Sequence, residues 1–199
     1  MSGVAIFDYG AGNIFSLKNS LERAGATVTV IEKLDGKNVY SGILLPGVGN
    51  FDPAMESVCR LGDRFREYVG STPVLGICLG MEMFFERSEE GKMPGLGVLG
   101  GDVVVLPPSM KIPHMGWNNL EIKTPGCILQ GVKSGSWAYF VHSYMARPAG
   151  DIVTAESDYG IRVPAVVESG NFFGTQFHPE KSGKTGQIMI SNFLQECKR

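Results

Sequence analysis

Cys78 stands between Gly76 and Gly80, where an apolar run meets a helix-like segment. The run at 74–77 predicts a buried strand, and residues 79–85 have the types of a helix. A nucleophile on such a glycine-flanked corner is typical of a nucleophile elbow, where the backbone turns sharply. The amides at the start of the following helix would favour a thiolate. The corner therefore predicts a thiol that is pushed out of the fold, and a thiol enzyme.

A thiolate nucleophile needs a base and a group that orients the base. Of the three histidines, His178 is followed by Pro179 and Glu180. Residues two apart in extended backbone share a face, so we expect Glu180 to hold one imidazole nitrogen while the other faces Cys78. A lone cysteine is more often inert filler, and a lone His-Pro-Glu is often a turn. Together they predict a catalytic arrangement.

Acyl chemistry on a thiol also needs donors for a developing oxyanion. The backbone N–H of Leu79, directly after the predicted nucleophile, is one candidate. The second is the segment Gly47, Val48 and Gly49, which follows an apolar run and Pro46. Taken alone, this segment is more typical of an ordinary turn at the end of a strand.

The elements that must position these residues alternate in the first half of the chain. Strands at 4–7, 27–31, 42–45 and 74–77 are separated by helices at 13–24 and 55–69. This rhythm predicts an α/β fold with a central, mostly parallel sheet and helices on both faces. The second half predicts antiparallel additions, with strands at 103–106, 139–143, 151–156, 165–169 and 172–176, and a closing helix at 188–195. We expect one domain over residues 1–199.

Composition excludes several classes of protein. The net charge of −2 gives no electrostatic case for a nucleic-acid or membrane partner, and no apolar run approaches the length of a membrane span. The start of the chain does not resemble a signal peptide. Free thiols in a reducing cytoplasm are the better interpretation of the four cysteines. The glycine-rich stretch 95–100 fits a dinucleotide motif by spacing, but without a preceding strand it predicts a turn.

Three segments (45–49, 76–81 and 178–180) resemble the class I, triad-type glutamine amidotransferases, in the family's order and over the whole length. The resemblance implies that Cys78 forms a γ-glutamyl thioester with glutamine, with His178 and Glu180 completing a triad, and that the ammonia passes to a synthase. It implies neither a metal nor an organic cofactor. Segments 8–13, 113–118, 141–144 and 180–183 are similar to those of the glutaminase subunits of imidazole glycerol phosphate synthase, from histidine biosynthesis. This implies a heterodimer with a (β/α)8-barrel synthase.

The resemblance also implies contacts with glutamine. Glu90 matches the carboxylate that meets the α-ammonium, and Ser143 and Tyr144 match residues whose backbone holds the α-carboxylate. The family usually has glutamine where this chain has Glu82, close to the substrate. A charged carboxylate there would oppose the carboxylate of glutamine, so Glu82 is protonated, turned away or paired with a cation.

Further positions match segments that face the synthase: Asn13, Trp117 and Lys181. Trp117 could equally belong to the core. Two other functions remain open. One is a sister amidotransferase or another thiol hydrolase of similar fold, such as a peptidase. The other is a non-catalytic binding or metal-binding subunit that uses Cys78, His178 and Glu180.

Overall fold

A computed structural model describes residues 3–10, 12–34, 39–60, 65 and 68–199. Its strands are β1 Gly3–Phe7, β2 Thr27–Ile31, β3 Gly42–Leu45, β4 Val74–Ile77, β5 Arg87–Ser88, β6 Gly101–Val105, β7 His114–Asn119, β8 Glu121–Ile122, β9 Trp137–His142, β10 Tyr144–Pro148, β11 Val153–Asp158, β12 Arg162–Ser169 and β13 Phe172–Thr175. Its α-helices are α1 Ile14–Arg23, α2 Phe51–Cys59, α3 Leu79–Glu82 and α4 Gly183–Glu196. A short 3₁₀ helix spans Pro179–Lys181.

The main sheet has the order β2-β1-β3-β4-β13-β12-β11-β8. Strands β2, β1, β3, β4 and β13 pair in parallel, whereas β12, β11 and β8 add antiparallel strands at one side. The predicted mixed, mostly parallel α/β sheet is therefore confirmed. Because β13 pairs with β4, the segment after β13 leaves the sheet beside the segment after β4.

The apolar runs of the parallel strands are buried on both faces of the sheet. Leu75 and Ile77 of β4 join one core with α1 and α4. Val74 joins the other core with α2. Two-sided burial explains why these strands are continuous apolar runs rather than alternating ones, and it confirms the helices on both faces.

Two small sheets lie outside the predicted architecture. Strands β10, β6 and β5 form one, and the antiparallel pair β7–β9 forms the other. We did not predict β7, since its sequence is His-Met-Gly-Trp-Asn-Asn, which contains no β-branched residue. Its pairing with β9 is nevertheless continuous over six residue pairs. The β7–β9 sheet brings the chain just before Ser143 next to the segment that contains Trp117.

The predicted helix ends needed correction. Helix α2 begins at Phe51, four residues before the predicted start, and much of the predicted remainder up to residue 69 lies outside the described residues. Helix α4 begins at Gly183, five residues before the predicted start. Glycine has a low helix propensity, but a side chain at Gly186 would overlap the Pro179 carbonyl oxygen. Close packing thus requires Gly186, and a φ of 55° favours glycine at position 183, so both glycines weaken the helix pattern at the start of α4. The stretch 95–100 is irregular, as predicted.

Candidate active site

The chain turns abruptly at Cys78, between β4 and α3. Cys78 has φ 52° and ψ −110° and is the one non-glycine residue with positive φ in the described part of the chain. A Cβ at Gly76 would lie 2.5 Å from the Gly80 carbonyl oxygen, and one at Gly80 would overlap the Leu45 carbonyl oxygen. A strained corner held by close backbone contacts is the geometry of a nucleophile elbow.

The segment after β3 packs directly against this corner. A Cβ at Gly47 would lie 2.6 Å from the Gly80 nitrogen, so only glycine permits this approach. Gly49 has φ 140°, within the region that favours glycine. Val48 is largely exposed. The predicted oxyanion segment therefore lies beside Cys78 and Leu79, with Gly47 packed against Leu79 and Gly80.

The thiol of Cys78 is buried, in contrast to the predicted exposed thiolate. Only 6% of the residue is exposed, and Sγ lies 3.6 Å from the Val141 carbonyl oxygen, to which it donates. Burial and the nearby Glu82 raise the pKa of Cys78, although the amide of Leu79 and the side chain of Gln176 act in the opposite direction. Desolvation thus outweighs the helix amides, and the resting group is a thiol.

His178 and Glu180 form a buried pair. His178 Nδ1 lies 2.9 Å from Glu180 Oε1, and both side chains are almost fully buried. We predicted that extended backbone would bring the two side chains together, and this was wrong. Glu180 instead lies in the 3₁₀ turn that follows His178. His178 Nε2 is buried without a hydrogen-bond partner among the described residues. It is therefore available as a proton acceptor, and it forms no hydrogen bond with Cys78 Sγ.

The backbone around His178 is fixed to β9. The His178 N–H donates to the Tyr139 carbonyl oxygen over 2.9 Å. Ser182 Oγ donates to the His178 carbonyl oxygen over 2.7 Å and accepts from the Tyr139 N–H over 2.9 Å. These bonds hold the imidazole-bearing loop against the strand that carries Val141. Ser182 is a positioning residue that the sequence analysis missed.

A pocket of about 270 Å³ opens over Cys78. Its walls contain most of the predicted site: Val48, Gly49, Cys78, Leu79, Glu82, Glu90, Ser143 and Tyr144. The remaining wall residues are Pro113, Val141 and His142. Gly47, His178 and Glu180 do not line the pocket. A pocket of this size, with a thiol and polar groups on its walls, suits a small, polar molecule.

Glu82 lies in the pocket wall, and within the described residues it has no cationic partner. Only 4% of it is exposed, and its Oε1 accepts a hydrogen bond from Gln176 Nε2 over 2.9 Å. Burial, with a smaller contribution from Glu90, raises the pKa of Glu82 to about 8. Glu82 is therefore mainly protonated at neutral pH. Gln176, which the sequence analysis missed, stands two residues before His178, and strand periodicity could have placed both side chains on one face.

The two histidines outside this pair form a neutral chain. His142 Nδ1 lies 2.7 Å from the Tyr144 carbonyl oxygen, and His142 Nε2 lies 2.9 Å from His114 Nδ1. His142 Nδ1 must therefore carry a proton, and His114 Nδ1 must donate. Burial lowers the pKa of both histidines to about 4. This chain connects β7 to the backbone at Ser143 and Tyr144, the predicted site for the α-carboxylate.

The residues predicted to face a partner lie at or near the surface. Trp117 is 54% exposed and meets the Tyr139 ring edge-on, so it is not a core residue. Lys181 Nζ lies 6.0 Å from the centre of the same ring. Asn13 caps α1 by accepting from the Ser16 N–H over 3.1 Å. Trp117 and Lys181 thus share one surface, whereas Asn13 has a local structural role.

Metal-ligand clusters and membrane-spanning helices are both absent from the residues that the structure describes. No group of three histidine, cysteine or acidic side chains has the arrangement of a metal site in that part of the chain. Within the described ranges, the helices are all too short or too polar to cross a membrane. All four cysteines are free thiols.

Comparison with known proteins identifies the family. The family model "Glutamine amidotransferase class-I" matches residues 5–197. The imidazole glycerol phosphate synthase subunits HisH of Archaeoglobus fulgidus and Natronomonas pharaonis are each 44% identical, over 98% of this chain and 100% and 94% of theirs. The corresponding Methanocaldococcus jannaschii subunit is 40% identical, over 96% of this chain and 98% of its own.

Solved structures agree on the fold. A glutamine amidotransferase crystal structure matches with a TM-score of 0.78 at 21% identity, covering 98% of this chain and 99% of its own. The structure of PurLQS from Thermotoga maritima matches with a TM-score of 0.70 at 19% identity, covering 98% of this chain and 99% of the matched one. The chain therefore belongs to the class I glutamine amidotransferases, among the HisH subunits of imidazole glycerol phosphate synthase.

Proposed function

We propose that the chain hydrolyses glutamine through a thioester on Cys78 and delivers the ammonia to a synthase subunit. The observation that carries the proposal is the strained corner at Cys78, which presents the thiol to a pocket, together with a buried imidazole–carboxylate pair on the segment after the neighbouring strand β13. A thiol, a base and an orienting carboxylate are the parts that nucleophilic acyl transfer requires.

In the first half-reaction, the sulfur of Cys78 attacks the side-chain amide carbon of glutamine. His178 Nε2 takes the thiol proton, which explains how a thiol with a raised pKa becomes nucleophilic only as it reacts. Leu79, Val48 and Gly49 supply backbone donors for the oxyanion. The imidazolium then protonates the departing nitrogen, the C–N bond breaks, and ammonia leaves a γ-glutamyl thioester.

In the second half-reaction, His178 takes a proton from water, which attacks the thioester carbon. The C–S bond breaks, the thiol of Cys78 is regenerated and glutamate leaves. Glu180 stabilises the imidazolium in both halves. Glu90 meets the α-ammonium of glutamine, and the backbone at Ser143 and Tyr144 meets its α-carboxylate.

The ammonia passes to a (β/α)8-barrel synthase, which forms imidazole glycerol phosphate and aminoimidazole carboxamide ribotide in histidine biosynthesis. The exposed ring of Trp117, beside the half-buried ring of Tyr139 and the neighbouring Lys181, supports a protein partner on that side. Four free thiols support a cytoplasmic location.

The test is Cys78→Ala, assayed in the complex with the synthase. We expect glutamine-dependent synthesis to be lost and ammonia-dependent synthesis to continue. Cys59→Ala is the matched control, because Cys59 is an exposed thiol outside the pocket. Glutamine-dependent turnover in Cys78→Ala would reject the proposal in favour of another nucleophile. Loss of activity on treatment with a chelator, restored by zinc, would reject it in favour of a metal site.

A further inference from the structure

Two carboxyl groups lie within the electrostatic reach of Cys78, and the mechanism above uses only Glu180. The second is Glu82, which is buried in the pocket wall. Gln176 stands between it and the nucleophile: its Nε2 lies 2.9 Å from Glu82 Oε1 and 3.8 Å from Cys78 Sγ. One amide group therefore serves both side chains.

The surroundings of Glu82 require it to be neutral. The groups that interact with it electrostatically are Tyr9, Cys78 and Glu90, which are neutral or acidic. His142 lines the same pocket but is neutral, since burial lowers its pKa to about 4. Within the described ranges, no lysine or arginine pairs with Glu82. A buried carboxylate without a cation is costly, so the proton stays on.

A buried acceptor without a donor also favours a neutral Glu82. Gln176 Oε1 is buried and has no donor among the described residues, although Nε2 of the same amide already bonds Glu82. A carboxyl and a carboxamide can exchange two hydrogen bonds only when the carboxyl carries its proton. A protonated Glu82 brings a donor close to this acceptor, whereas an ionised Glu82 brings none.

We propose that neutral Glu82 is a positioning residue of the glutaminase reaction, acting through Gln176 on Cys78. The inference rests on the proposed function. With Glu82 neutral, the Gln176 N–H remains available to the sulfur as negative charge develops on it. When Glu82 ionises, the carboxylate binds the Gln176 NH2 group more strongly and draws Nε2 away from the sulfur, because charge-assisted hydrogen bonds are the stronger ones. It also adds a like charge beside the nucleophile.

The prediction is an alkaline loss of activity that a near-isosteric amide removes. Glu82 titrates at about pH 8, so its neutral fraction falls about tenfold between pH 7 and pH 9. The ratio of kcat/KM for Glu82→Gln to that for wild type should rise by about the same factor over this range. Glutaminase activity is measured in the complex at each pH, with ammonia-dependent synthesis as the reference. Glu56→Gln, a change on the exposed face of α2, is the control and should follow wild type.

Two further measurements make the test decisive. The rate of iodoacetamide alkylation at Cys78, followed by mass spectrometry of its peptide, should rise at lower pH in Glu82→Gln than in wild type. Gln176→Met removes the connecting amide and also keeps Glu82 neutral to higher pH, so its profile should lack the tenfold decline. It serves as the second variant if Glu82→Gln does not fold.

The outcomes separate the two proposals. Parallel pH profiles for wild type and Glu82→Gln, with unchanged alkylation, would overturn the role of Glu82 and leave the glutaminase standing. Absence of glutamine hydrolysis in every variant at every pH, with ammonia-dependent synthesis intact, would overturn the proposed function itself.

Discussion

The two carboxyl groups near Cys78 differ in the partner that each one meets. Glu180 accepts a hydrogen bond from the imidazole of His178, which can take up a positive charge. Glu82 accepts one from the carboxamide of Gln176, which cannot. Both side chains are almost fully buried. Burial alone therefore does not determine what a carboxyl group does, because its neighbour decides whether a charge can be compensated.

Because of this difference, Glu180 has to be ionised and Glu82 has to be protonated for the proposed reaction. A carboxylate beside an imidazole stabilises the imidazolium that forms during proton transfer. A carboxyl beside an amide and a thiol assists only while it carries its own proton. The same substitution at the two positions should therefore have different effects.

The largest expected contrast comes from glutamate-to-glutamine changes at both positions. Glu180→Gln removes the charge that stabilises the imidazolium, and we expect kcat for glutamine hydrolysis to fall about a hundredfold to ten-thousandfold. Glu82→Gln replaces a neutral carboxyl by an isosteric amide, and at pH 7 it should stay within about threefold of wild type. Steady-state glutaminase assays in the complex measure both. Similar losses at both positions would remove the distinction.

A smaller effect is expected on stability. Unfolded Glu82 ionises near 4.5, and the folded group at about 8. Between these values the native state binds more protons than the unfolded state, so its contribution to the free energy of unfolding falls as pH rises. Glutamine at this position does not titrate, so the stability advantage of Glu82→Gln should widen with pH, to about 3 kcal/mol at pH 7.

Urea unfolding of wild type and Glu82→Gln at pH 4.5, 6 and 7.5 measures that difference. Glu56→Gln provides the comparison for a carboxyl whose side chain is largely exposed. A constant difference across the three pH values would mean that Glu82 is charged in the native state.

The comparison also explains what the sequence could and could not predict. Cys78, His178 and Glu180 were predicted because each stands in a short motif whose local backbone positions it. The parallel strands were predictable because burial on both faces leaves continuous apolar runs. The direction in which the pKa of Cys78 shifts could not be predicted, because it depends on competition between the Leu79 amide and desolvation by the whole fold.

Gln176 and Ser182 were missed for a related reason. Each is a common polar residue whose importance comes from a partner distant in sequence, such as Glu82 or Tyr139. The sequence could have indicated Gln176 by its alternation with His178. No local pattern connects Ser182 to β9, which was predicted only in part, and the β7–β9 sheet was not predicted at all.

The smallest effect is expected at Tyr9, on the Glu82 side of the thiol. Its hydroxyl is buried without a hydrogen-bond partner among the described residues, and burial raises its pKa. Removing an unsatisfied hydroxyl leaves no other polar group without a partner, so Tyr9→Phe should leave the free energy of unfolding unchanged or raise it by up to about 1 kcal/mol.

Tyr159→Phe is the matched control: its hydroxyl donates to the Lys111 carbonyl oxygen over 2.8 Å, and the loss of this bond should lower the free energy of unfolding by about 1 kcal/mol. Urea unfolding and glutaminase assays at pH 7 measure both variants. If Tyr9→Phe instead lowered stability or activity more than Tyr159→Phe, the Tyr9 hydroxyl would be a donor to this pocket, and Glu82 would no longer depend on Gln176 alone.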